Sequence, residues 1–286
     1  MLVLALDSSA TASVALARID SDAPGTSAEI LASYESEDTR SHAEVMAPYA
    51  AQVLADTGLD GAAVDAVLTG TGPGPFTGLR AGIMTARTLG FAWNKPVYGL
   101  MSLTAIVERA FADGAFRDSQ TAANNGMNRA AHETLVASDA RRREIYCALF
   151  AVTENGYSLA AGPSVGPAHQ THAPASDPSY PVAPALGYGA GLYTEVLTAS
   201  GWDVLTDYAH LHPTAADLVK AAARCGVKNL SRDTQALYLR ESDAKVPAAM
   251  LARTASAQPP HGQQNTGEQQ KTRGQQPAPA APAREQ

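Results

Sequence analysis

The chain has 286 residues, of which 45% are hydrophobic, and this length and composition suit two modest globular lobes. Its net charge of −7 excludes the broad basic surface of a protein that binds nucleic acid on its own. Its two cysteines are too few for a disulfide scaffold and favour a reducing compartment such as the cytoplasm. No apolar run approaches about eighteen residues and no basic segment precedes an apolar one, so neither a membrane span nor a signal peptide is predicted.

Short strands and one helix are predicted at the start of the chain. Apolar runs bounded by turn residues predict strands at residues 2–6, 13–17 and 30–34. A helix is predicted from Ser41, where Glu44 completes a capping box, and Gly58 ends it. Pro48 is expected to kink this helix. Its apolar residues fall on one face and are Val45, Met46, Tyr49, Val53 and Leu54.

The most informative stretch covers residues 64–91. A buried strand at 64–69 is followed by a shaped loop, because glycine and proline are dense at Gly70, Gly72, Pro73, Gly74 and Pro75. Thr77 is predicted to cap a helix over 78–91, whose small residues recur at Gly78, Gly82 and Ala86 and would let another backbone approach closely. The residues alone leave two interpretations of the loop open, a phosphate cradle or a tight strand-to-helix connection, since neither P-loop nor dinucleotide spacing is present.

The second half repeats the opening pattern of the chain. A strand at 96–100 and a helix at 102–111 precede a polar segment, 113–132, which we interpret as a loop insertion. The stretch from Thr134 then has the order strand, Asp, polar turn, strand, as at the start of the chain. We interpret this as an internal duplication in which each lobe opens with a hairpin that presents an aspartate, Asp7 or Asp139.

The remaining segments complete the predicted organisation. Residues 161–184 are interpreted as a long connection, and helices are expected near 192–199 and at 214–225, the latter between Pro213 and Gly226. From Val246 the composition changes to Gln, Pro, Ala and Gly, and this tail is predicted to be disordered. The domains expected are an N-terminal lobe at 1–100 with helix 213–226 packed back on it, a C-terminal lobe at 101–212, and the tail at 246–286. The residues by themselves support an α/β class with two lobes.

Five motifs in this order resemble the TsaB (YeaZ) family. They are LALDSS at 4–9, RSHAEVMAP at 40–48, GPGPFTGLRAG at 72–82, SDARRREIY at 138–146 and YLR at 238–240. Pro75 stands where the family usually has serine. The resemblance covers the chain to about Arg240 and implies the two-lobed actin-like ATPase fold (ASKHA, RNase H-like), which the two Asp-bearing hairpins also suggest.

The resemblance implies a non-catalytic subunit that acts as a platform in the cytoplasm. The family's complex forms N6-threonylcarbamoyladenosine at position 37 of tRNAs that read ANN codons. The resemblance also implies that a TsaD-type subunit carries the transferase activity and that a TsaE-type ATPase assists. It further implies that this chain forms a homodimer when the TsaD-type subunit is absent. Since the chain is acidic, tRNA is expected to meet it only indirectly. The alternative, from another class, is an active actin-like-fold small-molecule kinase or ATPase.

Candidate nucleotide contacts lie in two turns. Asp7, Ser8 and Ser9 stand where actin-like ATPases hold a metal–phosphate group, but this turn has no glycine, so a capped hairpin is the alternative. Gly187, Gly189 and Gly191 precede a helix where such folds contact adenosine or phosphate, and a tight turn is the alternative there. We expect no cofactor of the chain's own, apart from weak ATP or ADP binding at the joint with partners.

No metal site and no catalytic residue is predicted. Ser102 and Ile106 occupy the register at which TsaD-type relatives carry an H-x-x-x-H metal pair, and neither replaces imidazole. His42 lacks a second histidine at i+4, where Met46 stands.

Arg141, Arg142 and Arg143 follow Asp139 in a turn, and such a charge run is typical of a solvated face. The family resemblance implies a structural pairing of Arg141 with Asp139, and contact of the three arginines with RNA is the alternative.

The partner interface is expected on two helices, 42–57 and 78–91. Each helix must also use one face to cover its own sheet, so not all of its apolar residues can face outward. Such a pair could pack against two further helices of a homodimer or of a TsaD-type subunit. The residues predicted to form this interface are His42, Val45, Met46, Tyr49, Val53, Leu79, Gly82, Ile83 and Ala86.

Overall fold

Two five-stranded sheets form the body of the chain. The structure is a computed structural model and describes residues 1–36, 42–116, 132–173 and 182–240. The first sheet comprises β1 (Leu2–Asp7), β2 (Ser13–Ile19), β3 (Ala28–Glu35), β4 (Ala66–Gly70) and β5 (Val97–Leu100). The second comprises β6 (His132–Asp139), β7 (Ile145–Thr153), β8 (Gly156–Gly166), β9 (Ala183–Leu186) and β10 (Trp202–Val204). The α-helices are α1 (His42–Thr57), α2 (Phe76–Trp93), α3 (Leu103–Ala112), α4 (Tyr188–Leu192), α5 (Thr194–Ala199) and α6 (Ala215–Cys225).

The two sheets have the same topology. Their strand orders are β3-β2-β1-β4-β5 and β8-β7-β6-β9-β10. In each sheet the first three strands in the chain are antiparallel, and the last two run parallel to the first. Asp7 ends β1 and Asp139 ends β6, at corresponding points of the two opening hairpins. The repeated pattern in the sequence therefore corresponds to a repeated fold.

The first sheet is covered on both faces. Because β1 and β4 are buried throughout, apart from the half-buried Leu2, their sequences are nearly continuous apolar runs. On one face, Met46 and Val53 of α1 and Ala86 of α2 join the core with alternate residues of β1. On the other face, Leu218 and Val219 of α6 pack against the remaining β1 and β2 side chains.

The helix α6 returns from the second half of the chain to the first sheet. Thr214 caps it, because its hydroxyl accepts a hydrogen bond from Asp217 N at 3.1 Å, and Gly226, with φ of 81°, ends it. α6 also packs against α3. Arg224 of α6 makes a bidentate ion pair with Glu108 of α3, with Nε–Oε2 and Nη2–Oε1 distances of 2.6 and 2.8 Å.

Two sequence predictions about element boundaries were wrong. α2 begins at Phe76, with Pro75 in an extended conformation at the N-cap, so Thr77 lies within the first turn and does not cap the helix. The segment 161–184, predicted to be a connection, contains the last six residues of β8 and the start of β9. Proline suggested a loop there, but Gly162 and Pro163 lie at a bulge in an edge strand, where proline is tolerated.

Several predictions fall on residues outside the described ranges. These are the capping role of Ser41, most of the insertion at 113–132, the disordered tail at 246–286 and the side chain of His42. Within the described ranges, no helix combines the length and apolarity that crossing a bilayer requires.

Candidate functional site

The aspartate at the end of β1 is buried inside the protein. One carboxylate oxygen of Asp7 accepts hydrogen bonds from Ser9 N at 2.9 Å and Ser9 Oγ at 2.7 Å. The other oxygen lies against Gly70, where a side chain would have no room, and beside the Ser102 hydroxyl. Burial raises the pKa of Asp7, and the nearby Ser102 hydroxyl and the hydrogen bonds from Ser9 oppose this shift, while the oxygen that faces Gly70 has no hydrogen-bond partner.

The next residue of this turn attaches it to α2. Ser8 Oγ donates a hydrogen bond to Gly78 O at 2.7 Å and accepts one from Gly82 N at 3.1 Å. A Cβ at Gly82 would stand 2.3 Å from Ser8 Oγ, so only glycine fits there. The small residues of α2 therefore do allow a close backbone approach, but the segment that approaches is the chain's own Ser8 turn.

The Gly-Pro loop closes over this turn. Gly74 packs directly on the Ser9 backbone, and Gly72 N donates a hydrogen bond to Ser102 Oγ at 3.0 Å. Asp7, Ser8 and Ser9 are all buried beneath the loop. In this conformation the loop is a tight strand-to-helix connection that covers the three residues predicted as candidate nucleotide contacts.

The glycines at the N-cap of α4 and within it also have a structural explanation. A Cβ at Gly187 would stand 2.3 Å from Ala137 O, and one at Gly189 would stand 2.7 Å from the Ser138 backbone. Gly191 packs in the same way on Ala209 O. Gly187 and Gly189 allow the short helix to lie directly on β6, and Gly191 allows it to contact the segment at Ala209, so their presence requires no ligand.

Most of the residues predicted to face a partner are instead in the core. Six of them are buried against the chain's own sheet and helices: Met46, Val53, Leu79, Gly82, Ile83 and Ala86. These six therefore belong to the face of each helix that packs within the chain, and they are not available to a partner in this conformation. Val45 and Tyr49 are half-buried, and Tyr49 stacks on Tyr34 with ring centroids 5.5 Å apart.

The same two helices nevertheless expose an apolar surface made of other residues. On α2, Phe91 is 89% exposed and Met84 is 54% exposed. α1, which packs beside α2, presents four small apolar residues to solvent, namely Ala47, Pro48, Ala51 and Ala55. We call this set of six residues the helix-pair surface. The spacing of Met84 and Phe91, seven residues apart on one side of a helix, was the sequence signal that could have identified it.

A segment near the end of the described chain, residues 231–240, crosses from the first sheet to the second. Gly99 N donates a hydrogen bond to Ser231 O at 2.9 Å, and Leu237 N donates one to Thr71 O at 2.8 Å. Arg87 Nε donates a hydrogen bond to Thr234 Oγ1 at 2.7 Å. We call this segment the C-terminal strap.

The YLR motif at the end of the strap brings two other motifs together. The ring of Tyr238 packs on Phe76, the first residue of α2, with centroids 4.9 Å apart. Arg240 donates a hydrogen bond to Ala140 O at 2.9 Å and forms an ion pair with Glu144. Motifs that are far apart in the sequence therefore meet on one side of the molecule.

The turn after β6 contains three consecutive left-handed residues. Arg141, Arg142 and Arg143 have φ angles of 60°, 54° and 64°. Asp139 holds the start of this turn, because its carboxylate accepts a hydrogen bond from Arg141 N at 2.7 Å and pairs with the Arg141 guanidinium at 3.2 Å. The predicted pairing of Arg141 with Asp139 is thus confirmed.

The two positions compared with a metal pair have other roles. Ser102 accepts the hydrogen bond from Gly72, and Ile106 lies in the core of the second sheet. Across the described part of the chain, no group of three or more His, Cys, Asp or Glu residues is arranged to hold a metal ion.

Together with the fold, this geometry defines the class of protein: a two-lobed α/β protein of the actin-like ATPase (ASKHA) type, whose Asp7 turn is closed by its own loop. Residues 29–174, about half of the chain, match the model of the TsaD family, described as tRNA N6-adenosine threonylcarbamoyltransferase. The solved structure of YeaZ from Pseudomonas aeruginosa superposes with a TM-score of 0.63 at 26% identity, over 83% of this chain and 99% of that one. The chain belongs to the TsaB (YeaZ) family, a branch related to the TsaD proteins whose model it matches.

Curated relatives match shorter regions. An uncharacterised protein of Mycobacterium tuberculosis (strain ATCC 25618 / H37Rv) is 44% identical over 97 residues, which are 34% of this chain and 36% of the relative. The tRNA threonylcarbamoyladenosine biosynthesis protein TsaB of Escherichia coli (strain K12) is 35% identical over 104 residues, which are 36% of this chain and 38% of the relative. The matches thus span well under two thirds of the length of these relatives. The resemblance recognised from the five motifs is confirmed at the level of the family.

Proposed function

We propose that this chain is a non-catalytic subunit of the cytoplasmic complex that forms N6-threonylcarbamoyladenosine at position 37 of tRNAs reading ANN codons. Its family and the printed name of its Escherichia coli relative support the pathway. The role as a platform is supported by the buried Asp7 turn, which leaves no open phosphate site beneath the loop. In this proposal a TsaD-type partner carries the transferase activity and holds most of the tRNA, and a TsaE-type ATPase assists.

The observation that carries this proposal is the helix-pair surface. A side chain as large and apolar as Phe91 gains nothing from 89% exposure in an isolated chain, and exposed apolar patches are typical of protein interfaces. The small exposed residues of the neighbouring helix α1 would let a second pair of helices approach closely. In our proposal the occupant is the TsaD-type subunit, or a second copy of this chain when that subunit is absent, so the two assemblies exclude each other.

Charged substitutions on this surface provide the test. Met84→Asp and Phe91→Asp should abolish both self-association and binding of the TsaD-type subunit, because each places a charge in an apolar contact. Leu159→Asp is the matched control, since Leu159 is 48% exposed on β8 of the other sheet. Analytical ultracentrifugation and a pull-down with the purified partner would measure both assemblies. Undiminished assembly of the two α2 variants, each with the melting temperature of the wild type, would contradict the proposal.

The alternative function, an active small-molecule kinase or ATPase, is disfavoured by the burial of Asp7 and of Ser8. In our proposal any ATP or ADP binds weakly and at the joint with partners, where groups from another subunit complete the site. Steady-state ATP hydrolysis by the isolated chain separates the two functions. Turnover that is lost in Asp7→Asn would favour the kinase or ATPase.

A further inference from the structure

We propose that the outer side of α2 selects its partner by charge. It binds a helix that carries carboxylates, and the TsaD-type subunit supplies that helix in preference to a second copy of this chain. The inference rests on the proposed function, in which α2 belongs to the helix-pair surface. It adds the chemistry that the partner presents and the residues of this chain that recognise it.

Exposed side chains form a single row along the whole of α2. The row has members three or four residues apart, so they lie on one side of the helix. Aromatic residues, methionine and arginine, the residue types enriched at protein interfaces, account for all of it. We call this row the α2 stripe, and it consists of Phe76, Arg80, Met84, Arg87 and Phe91. The stripe extends the helix-pair surface to the first residue of α2.

The two arginines of the stripe have no carboxylate partner. Within the described residues, neither Arg80 nor Arg87 forms an ion pair. The helix itself contains no aspartate or glutamate. The chain as a whole has a net charge of −7, so this is a local excess of positive charge on an otherwise acidic protein. The charge on the stripe is therefore available to an acidic partner.

Both arginines are already held in place on the surface. The Arg80 guanidinium lies over the Phe76 ring, 4.3 Å from its centroid, and Arg87 Nε donates a hydrogen bond to Thr234 Oγ1 at 2.7 Å. Side chains that are ordered before binding lose less conformational entropy on binding. Seven residues of helix separate the two arginines by about 10 Å, which is about two turns. A helix that packs along α2 with two carboxylates about two turns apart would match both guanidinium groups.

A second copy of the chain matches this arrangement poorly. In an antiparallel pair of α2 helices related by a two-fold axis near Met84, Arg80 would come opposite Arg87 of the second copy. A parallel pair would bring Arg80 opposite itself. Like charges opposite each other are unfavourable in an interface. The other helix of the pair, α1, has two carboxylates, and Asp56 already accepts two side-chain hydrogen bonds, which leaves the exposed Glu44 alone against two arginines.

Charge variants of Arg80 provide the first test, with the full chain and the purified TsaD-type subunit. Arg80→Glu should weaken the heterodimer by about tenfold or more, and it should not weaken self-association, because it removes a repulsion between copies. Arg80→Met should weaken the heterodimer by about three- to tenfold and reduce its sensitivity to salt, since salt screens the lost attraction. Arg18→Glu is the matched control, because it makes the same change of charge at an exposed position on β2. Analytical ultracentrifugation and titration of the two proteins would measure both assemblies.

Zero-length crosslinking provides the second test and identifies the carboxylate. Arg80→Lys keeps the positive charge and introduces a primary amine, which a carbodiimide joins to a contacting carboxylate as an amide. Peptide mapping of the heterodimer should place this crosslink on an aspartate or glutamate of the TsaD-type subunit. The pair of Lys220 with Asp217, whose Nζ–Oδ1 distance is 3.0 Å, is the internal positive control.

The possible outcomes separate this inference from the proposed function. Equal weakening of both assemblies by Arg80→Glu would overturn the inference, because a second copy would then also supply a carboxylate. Heterodimer affinities within twofold of the wild type for Arg80→Glu and Arg80→Met would overturn it as well, as would a crosslink only to Glu44 of a second copy. If Met84→Asp and Phe91→Asp abolish the heterodimer in the same experiment, the proposed function stands although the inference fails. If those two variants assemble normally, the proposed function itself fails.

Discussion

At Gly82 the backbone of α2 passes so close to the Ser8 turn that no side chain fits between them. The glycine was interpreted from the sequence as part of a docking face, because a helix with a stripe of small residues allows close packing. The structure shows that this packing occurs within the chain, where Ser8 Oγ bonds both Gly78 O and Gly82 N. Substitution of Gly82 is therefore a test of folding.

We predict that Gly82→Leu destabilises the monomer. The new Cβ would stand 2.3 Å from Ser8 Oγ, and overpacking of this kind costs on the order of 1–3 kcal/mol. The free energy of unfolding, measured by denaturant titration, should fall by that amount. Thr88→Leu, at an exposed position of the same helix, is the control and should remain close to the wild type. Equal stability of the two variants would mean that the Ser8 turn moves away at little cost.

At the scale of elements, the C-terminal strap is a short segment with no regular helix or ladder that contacts both sheets. Its hydrogen bonds reach β5, the loop after β4 and the turn after β6. Gly99 is required for this approach, because a Cβ there would stand 2.7 Å from Asp233 O. A segment with these contacts is part of the folded structure although its sequence contains little apolar periodicity.

We predict that two truncations differ in their effect. Deletion of residues 250–286 should leave the melting temperature nearly unchanged, because that tail has almost no apolar side chains. Deletion of residues 231–286 also removes the strap, with two backbone and two side-chain hydrogen bonds, and should cost roughly 2–5 kcal/mol at about 1 kcal/mol for each bond. Thermal and denaturant unfolding of both proteins would measure this. A loss of stability as large in the shorter truncation would show that the tail contributes to the fold.

At the scale of the whole molecule, an ion pair between a buried glutamate and a partly buried arginine connects the two halves. Glu108 of α3 is only 2% exposed and binds Arg224 of α6 through both carboxylate oxygens. Tyr157 of β8 donates a third hydrogen bond to Glu108 at 2.6 Å. The Arg224 guanidinium also lies over the Phe111 ring, 4.5 Å from its centroid. This cluster links the helix that covers the first sheet to a strand of the second.

We predict that Arg224→Met costs about 3–5 kcal/mol, because it leaves the buried Glu108 without a compensating charge. The double variant Glu108→Leu with Arg224→Met should recover much of this loss, since no buried charge then remains. Arg18→Met is the control, because its ion pair with Glu29 is exposed and such pairs contribute about 0–1 kcal/mol. If the Arg224 variant lost no more stability than the Arg18 variant, the buried pair would not be what joins the lobes.

Local patterns were sufficient to predict much of the architecture. The apolar runs that became β1 and β4, and the bounds of α6 between Pro213 and Gly226, are local signals whose physical cause lies within a few residues. The repeated order of strand, aspartate, turn and strand likewise predicted that the chain contains two similar lobes. Edge strand β8 was missed, because Pro163 indicates a loop unless the bulge around it is known.

The sequence by itself therefore determined the family, the α/β class and the duplicated hairpins, because these depend on motifs and on periodicity along the chain. Only the tertiary structure decided which side of each helix remains exposed, because α1 and α2 both carry apolar residues on more than one side and the sheet covers one of them. It also decided that Asp7 is enclosed and that Tyr238 meets Phe76, since both depend on segments that are distant in sequence. Burial and contacts between distant segments decide which residues stabilise the fold and which remain exposed to a partner. No local sequence pattern specifies either of them.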